Sequence, residues 1–245
     1  HAGVGALVVS DSQKQQKVHN TRDRLTEIGP IITLDTAAAS ARGVITFEQL
    51  LSRSSEVPIE MLEERRASLR IDDLATVMYT SGTTGTPKGI CFNHRNIVFK
   101  RFARALALPE IGENDRFLCY LPLFHTFGRF LELTGCIFWG ATYCFAENPG
   151  IETLVRQMKS LEATVLISIP MKWMQLYDLI RQTIDVTSAE DGEIEHALRS
   201  TIGKGLRWGL SAAGYLDPEI FRFFQRYGIE LMSGFGMTEA TGGIT

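Results

Sequence analysis

Between Tyr79 and Gly89 the chain reads Tyr-Thr-Ser-Gly-Thr-Thr-Gly-Thr-Pro-Lys-Gly. These residue types suit a phosphate cradle. Gly82, Gly85 and Gly89 let the backbone approach an anion closely and turn N–H groups toward it. Thr80, Ser81, Thr83, Thr84 and Thr86 place hydroxyls along the same stretch, and Lys88 adds a mobile positive charge. The competing reading is a flexible linker rich in Gly and Thr. A β-branched run leading straight in, and a single Lys directly after Pro87, favour the cradle. The spacing is not that of a P-loop, because Pro87 occupies the place of the second glycine counted from Gly82. Nor does it match the Gly-x-Gly-x-x-Gly of dinucleotide-binding folds.

The elements that must position this loop alternate in type. Gly5–Ser10, Ile31–Leu34 and Leu74–Thr80 read as strands, with a polar helix over 11–28 stopped by Gly29-Pro30. Residues 36–70 give a small-residue linker and two charged amphipathic pieces. Gly89–Phe92 reads as a strand, and Asn93 caps a helix to about Leu106. Further strands are predicted over 116–121, 141–145, 163–169, 206–211 and 229–232. Helices are predicted over 126–138, 151–161, 171–184 and from Asp217-Pro218 to Gly228, with Ile220, Phe223, Phe224 and Tyr227 on one face. The acidic stretch 185–195 reads as an exposed loop. Strands alternating with helices of this length imply an α/β fold with largely parallel sheets flanked by helices.

The 245 residues carry 25 Lys+Arg against 28 Asp+Glu, with 44% hydrophobic and 22% charged residues. That composition is globular and excludes a disordered chain, a collagen-like chain and a coiled-coil rod. A slightly acidic balance without a basic block gives no sign of nucleic-acid binding. The longest uncharged apolar stretch, from Leu133, is shorter than the ~20 residues a bilayer span needs. Cys91, Cys119, Cys136 and Cys144 form no C-x-x-C and sit in apolar surroundings, which reads as reduced core thiols in a cytoplasmic protein. Peripheral membrane contact and oligomeric state stay open. The start at His1 reads as a processed or truncated terminus.

The Tyr79–Gly89 stretch resembles the signature loop of the adenylate-forming, AMP-binding enzymes, which include acyl-CoA synthetases, luciferases and peptide-synthetase adenylation domains. Three further stretches agree in order. Leu121-Pro122-Leu123-Phe124-His125 resembles the family's Leu-Pro-Leu-x-His segment. Gly209–Gly214 resembles its Ser-Gly-Gly-Ala-Pro turn, and Gly234-Phe235-Gly236-Met237-Thr238-Glu239 its Gly-Tyr-Gly-x-Thr-Glu motif. Within the family the texture of 121–178 is most similar to long-chain fatty acyl-CoA synthetases. Departures are Gly128 where long-chain members often carry Glu, Phe235 for Tyr, and Ala212 and Tyr215 for Gly and Pro.

The resemblance implies a ligase that joins a fatty acid or other carboxylic acid to ATP, giving acyl-adenylate and pyrophosphate, and then to CoA. It implies that Thr80–Thr86 and Lys88 hold the β- and γ-phosphates, that Glu239 helps hold Mg²⁺, and that Thr238 meets the α-phosphate. Phe235 would stack on adenine, with Ala212, Ala213, Gly214 and Gly236 letting the purine lie against backbone. His125 would line the junction of acyl carboxylate and adenylate. Each has a plainer alternative: Thr238-Glu239 as a helix cap with its first-turn acid, His125 as a packed histidine. Phe124, Phe127, Phe130 and Trp173 read as core or as walls of an acyl tunnel. On this reading residues 1–245 are a partial N-terminal domain, 1–70 being leading αβ units and 71–245 the segment bearing the motifs. The family's ribose-binding aspartate, adenylation lysine and C-terminal lid domain are not found in it, so the chain alone is expected to be inactive. The alternatives are another acid-activating member, or a catalytically incompetent nucleotide- or acyl-binding module.

Overall fold

The computed structural model describes residues 3–24, 28–35, 43–81 and 85–244. The chain divides into two compact units, His1–Arg70 and Ile71–Thr245. In the first, β1 (Leu7–Val9), β2 (Ile31–Thr33) and β3 (Val44–Thr46) form a parallel sheet in that order. Helix α1 (Ser12–His19) starts where the Asp11 carboxylate accepts the Lys14 N–H at 2.8 Å. It is shorter than the predicted 11–28, because Thr21 closes the chain back on Val18 and a 3₁₀ turn follows at Arg22–Arg24. Helix α2 (Phe47–Ser52) opens on a reciprocal capping pair between Thr46 and Gln49. Helix α3 (Ile59–Ser68) is charged and buries no residue.

The second unit opens with an antiparallel hairpin, β4 (Leu74–Thr80) and β5 (Lys88–Asn93). Asn93 and Asn96 then cap α4 (His94–Ala107) reciprocally. Five parallel strands follow: β6 (Arg116–Cys119), β7 (Thr142–Phe145), β8 (Val165–Ser168), β9 (Trp208–Ala212) and β10 (Glu230–Gly234), in the order β10-β9-β8-β6-β7. The crossovers are α5 (Thr134–Trp139), α6 (Ile151–Ser160), α7 (Pro170–Arg181), α8 (Asp191–Ile202) and α9 (Pro218–Arg226). A fully buried centre demands an apolar strand, and Val165–Ser168 is buried at every position. Trp173, Leu176 and Ile180 recur on one face of α7 and pack with Phe224 of α9. Burying each such side chain contributes about 1.5–3 kcal/mol. The Trp173 ring lies edge-on to Phe224 at 5.1 Å and its indole N–H donates to the Leu210 carbonyl at 3.2 Å. Trp173 is therefore core, and so is Phe130, which meets Phe92 edge-on at 5.1 Å.

Two predictions for this unit need correction. The stretch 185–195 is not wholly a loop: Glu190 and Glu193 form a capping box that starts α8, and Ile194, Leu198 and Ile202 bury its inner face. Its acids stand at the helix start, where the backbone dipole favours them, so their density hid a helix. The segment after His125 is not a regular α-helix. Phe127–Leu133 is a π-helix in which the Thr134 N–H returns to the Arg129 carbonyl, five residues back, before α5 continues. Gly128 makes this possible, since a Cβ there would lie 2.6 Å from the Leu121 and Pro122 carbonyl oxygens.

The order places a chain reversal between β6 and β8, and open α/β sheets bind ligands beyond the carboxyl ends of strands at such a point. At this edge the Tyr120 and Ser168 hydroxyls meet at 2.6 Å. At the opposite edge Asp115, buried, binds Arg207 at 2.7 Å and the Thr164 hydroxyl at 2.6 Å.

Candidate active site

Three of the four motifs leave the same edge of the sheet. Leu121–His125 follows β6, Ala213-Gly214 follows β9, and Phe235 follows β10. The local devices that hold them are visible. Arg129 donates to the Leu123 carbonyl at 2.7 Å and to the Thr76 hydroxyl at 2.8 Å, clamping the turn before His125 onto β4. The Phe127 N–H donates to His125 Nδ1 at 3.3 Å, so the neutral ring carries its proton on Nε2. Ala213 takes φ +64°, a left-handed conformation costly for any residue with a Cβ. Strands β11 (Gly236–Met237) and β12 (Gly242–Gly243) pair antiparallel, and the Ile244 N–H donates to the Phe235 carbonyl at 2.7 Å.

These turns enclose a cavity of about 550 Å³. His125, Ala213, Gly214, Phe235, Gly236 and Thr238 all line it, with Thr126 and Ser233 adding hydroxyls. Ala212 lies just beneath, buried at the end of β9. Phe235 is 65% exposed, so its ring faces open space and not the core. Phe127 lines the cavity too, its ring tilted against His125 at 5.6 Å, whereas Phe124 is 77% exposed and lines none of the described cavities.

The remaining residues stand apart among the described residues. Thr80, Ser81, Gly85, Thr86 and Lys88 belong to the tip and edges of the β4–β5 hairpin and do not line this cavity. Thr80 pairs with Lys88 across the hairpin, and Gly85 has φ +81°. Gly82, Thr83 and Thr84 lie outside the described residues. Glu239 is exposed in a 3₁₀ turn over Thr238–Ala240 whose cap residue is Met237, and Thr238 makes no side-chain cap. Among the described residues no group of three His, Cys, Asp or Glu could hold a metal ion, and no helix is long and apolar enough to cross a membrane.

Sequence reasoning missed several groups around this edge. Arg129 had no signal, because its partners are a carbonyl and a residue 53 positions away. Glu132 of the π-helix is fully buried, and neither carboxylate oxygen has a hydrogen-bond partner. Burial, then proximity to Cys136, pushes its pKa up to about 9. Lys100 and Arg104, one turn apart on α4, could have been noticed with Arg101 as a run of cations in the middle of the helix.

A family model described as AMP-binding enzyme matches residues 1–245. The chain belongs to the AMP-binding enzyme family. Among curated relatives it is 27% identical over 184 residues to the human long-chain-fatty-acid–CoA ligase ACSBG2, covering 74% of this chain and 28% of that protein. It is 26% identical over 247 residues to crotonobetaine/carnitine–CoA ligase of Proteus mirabilis, covering 100% of this chain and 43% of that one. The chain thus spans less than half the length of these AMP-binding relatives. Its fold is that of O-succinylbenzoate CoA synthetase (MenE) from Bacillus subtilis, solved with ATP and magnesium, with a TM-score of 0.65 and 22% identity over 95% of this chain and 44% of that one.

Proposed function

We propose that residues 1–245 are part of the N-terminal domain of an ATP- and CoA-dependent acid–thiol ligase of the long-chain fatty acid type. The whole enzyme would convert acid and ATP to acyl-adenylate and pyrophosphate, then acyl-adenylate and CoA to acyl-CoA and AMP. The observation that carries this reading is the convergence of His125, Ala213, Gly214, Phe235, Gly236 and Thr238 on one cavity at the carboxyl edge of the sheet.

The residues present fit a nucleotide. Phe235 offers an exposed aromatic face for adenine, and Ala213, Gly214 and Gly236 leave the adjoining backbone bare. Thr238 supplies a hydroxyl where the α-phosphate would lie, and His125 Nε2–H a donor for the acyl carboxylate. The exposed hairpin tip with Gly85, Thr86 and Lys88 suits the outer phosphates, which need mobile donors and not a rigid pocket. A single exposed carboxylate, Glu239, fits Mg²⁺, which keeps several waters and takes one or two protein carboxylates plus phosphate oxygens. Catalysis of this kind rests on positioning and on neutralising charge as pyrophosphate departs. The ATP and magnesium bound by MenE, and the long-chain acids named for the ACSBG2 relative, support the choice of co-substrates and acid. The share of each relative that the chain covers supports a larger whole, with CoA as the thiol.

The test is acid-dependent exchange of labelled pyrophosphate into ATP by the whole ligase. Exchange stimulated by fatty acids and abolished by EDTA is expected. Exchange that ignores added acid would refute the reading.

A further inference from the structure

Phe127, Ser233, Gly234 and Phe235 line a second cavity as well as the first, so the two spaces adjoin across these residues. The second measures about 290 Å³, and Leu131, Trp208, Leu210 and Met232 give it apolar walls. A carboxylate held beside His125 would send its tail this way. Yet the wall contributed by α4 is not apolar. Lys100 and Arg104 face the cavity, and no acidic residue lines it among the described residues.

The state of these cations is unusual. Lys100 Nζ donates to the Gly243 carbonyl at 2.6 Å. Arg104 is half-buried, with neither hydrogen bond nor ion pair among the described residues. Arg101, on the same helix, is 5% exposed, and its Nε and Nη1 have no partner. Burial and mutual repulsion hold Lys100 below its usual range and bring Arg101 down to about 10; burial alone lowers Arg104. Three neighbouring cations, partly desolvated and without a counter-charge among the described residues, are costly to keep. An anion delivered into the cavity offsets that cost, and a guanidinium fork matches a carboxylate best.

We propose that the acid activated by this site carries a second carboxylate at the other end of its chain, and that Arg104, with Lys100 beside it, receives that distal group. The acid is then a dicarboxylic fatty acid. A methyl-ended chain would enter the same apolar walls but leave the cations unpaired, and a site built around a polar partner discriminates against the analogue that lacks it. This inference rests on the ligase reading above, since that reading fixes which end reacts.

The test uses two sulfamoyl-adenosine analogues of the acyl-adenylate with the same dodecanoyl length, one ending in carboxylate and one in methyl. Their affinities for the whole ligase are measured by calorimetry. The carboxylate-ended analogue should bind at least about tenfold tighter, which corresponds to about 1.4 kcal/mol. Arg104→Gln should erase the difference, and Arg104→Lys should restore part of it. Equal binding of the two analogues, or a preference that survives Arg104→Gln, overturns the proposal and leaves the ligase reading standing. If neither analogue binds, the adenylate-site reading itself falls and takes this inference with it.

Discussion

Replacing Glu132 by Gln isolates the cost of keeping a carboxyl inside the π-helix. The side chain is fully buried without a hydrogen-bond partner, and its pKa rises from 4.5 to about 9 in the folded state. Burial is the larger cause, and the neighbouring Cys136 adds to it. The folded state therefore holds a proton that the unfolded chain releases near 4.5. The stability tied to that proton is fully present below pH 4.5 and is lost progressively as pH rises toward about 9. Each unit is worth about 1.4 kcal/mol, so at pH 7.5, roughly three units above the unfolded value, the loss is about 4 kcal/mol. Gln has the shape of the neutral acid and does not titrate. Its amide brings donors that need partners, at about 1–3 kcal/mol. The net gain at pH 7.5 is then about 1–3 kcal/mol. The variant's advantage should also grow by about 1.4 kcal/mol per pH unit between pH 5.5 and 8.5. Urea unfolding followed by tryptophan fluorescence reads this directly, because Trp139, Trp173 and Trp208 all lie in the second unit. A difference between variant and wild type that stays constant with pH would refute the reasoning and mean that Glu132 is ionised and paired in the native state.

Lys88→Ala in the whole ligase should weaken pyrophosphate exchange by about one to two decades, the worth of a charge-assisted contact of ~1.5–3 kcal/mol, with the melting temperature unchanged. Glu239→Gln should cut adenylation severely without lowering thermal stability, as its exposed turn position predicts; lost stability with near-normal turnover would make it structural. Gly128→Ala should destabilise by about 1–3 kcal/mol, since its Cβ meets two backbone carbonyls that cannot yield, and chemical denaturation measures the loss. Ala213→Gly should relieve the left-handed φ and raise stability by up to about 1 kcal/mol, read as a shift in the urea midpoint.

What the sequence made legible follows from where information is local. The buried strands of the five-stranded sheet announce themselves because residues 117–119 and 165–167 must be apolar on both faces. Asp217-Pro218 announces α9 because cap and first-turn chemistry involve adjacent residues. Four short motifs were legible for the same reason, each being a turn directly after or between strands. Groups whose meaning depends on distant partners were not. The acids at 190–193 read as solvent-facing until Ile194, Leu198 and Ile202 are seen packed beneath them. Nothing in the sequence singles out Arg101 or Glu132, and only the tertiary fold shows both buried with polar atoms left unpartnered.

Gly128 joins the two kinds of information. In sequence it is a departure, a glycine where similar chains often carry an acid. In the structure it is the point where a π-helix presses against the carbonyls of the Leu-Pro-Leu turn, with no room for a Cβ. Close contact there fixes the turn that presents His125, while Arg129, one residue further on, ties the same turn to β4 through Thr76. The hairpin bearing Lys88 and the sheet edge bearing His125 are thus coupled through one arginine and one glycine, neither of which touches the cavity. On the proposed ligase reading, adenylation needs both ends of the nucleotide positioned at once, and this short segment would then set the register between phosphate donors and acyl carboxylate.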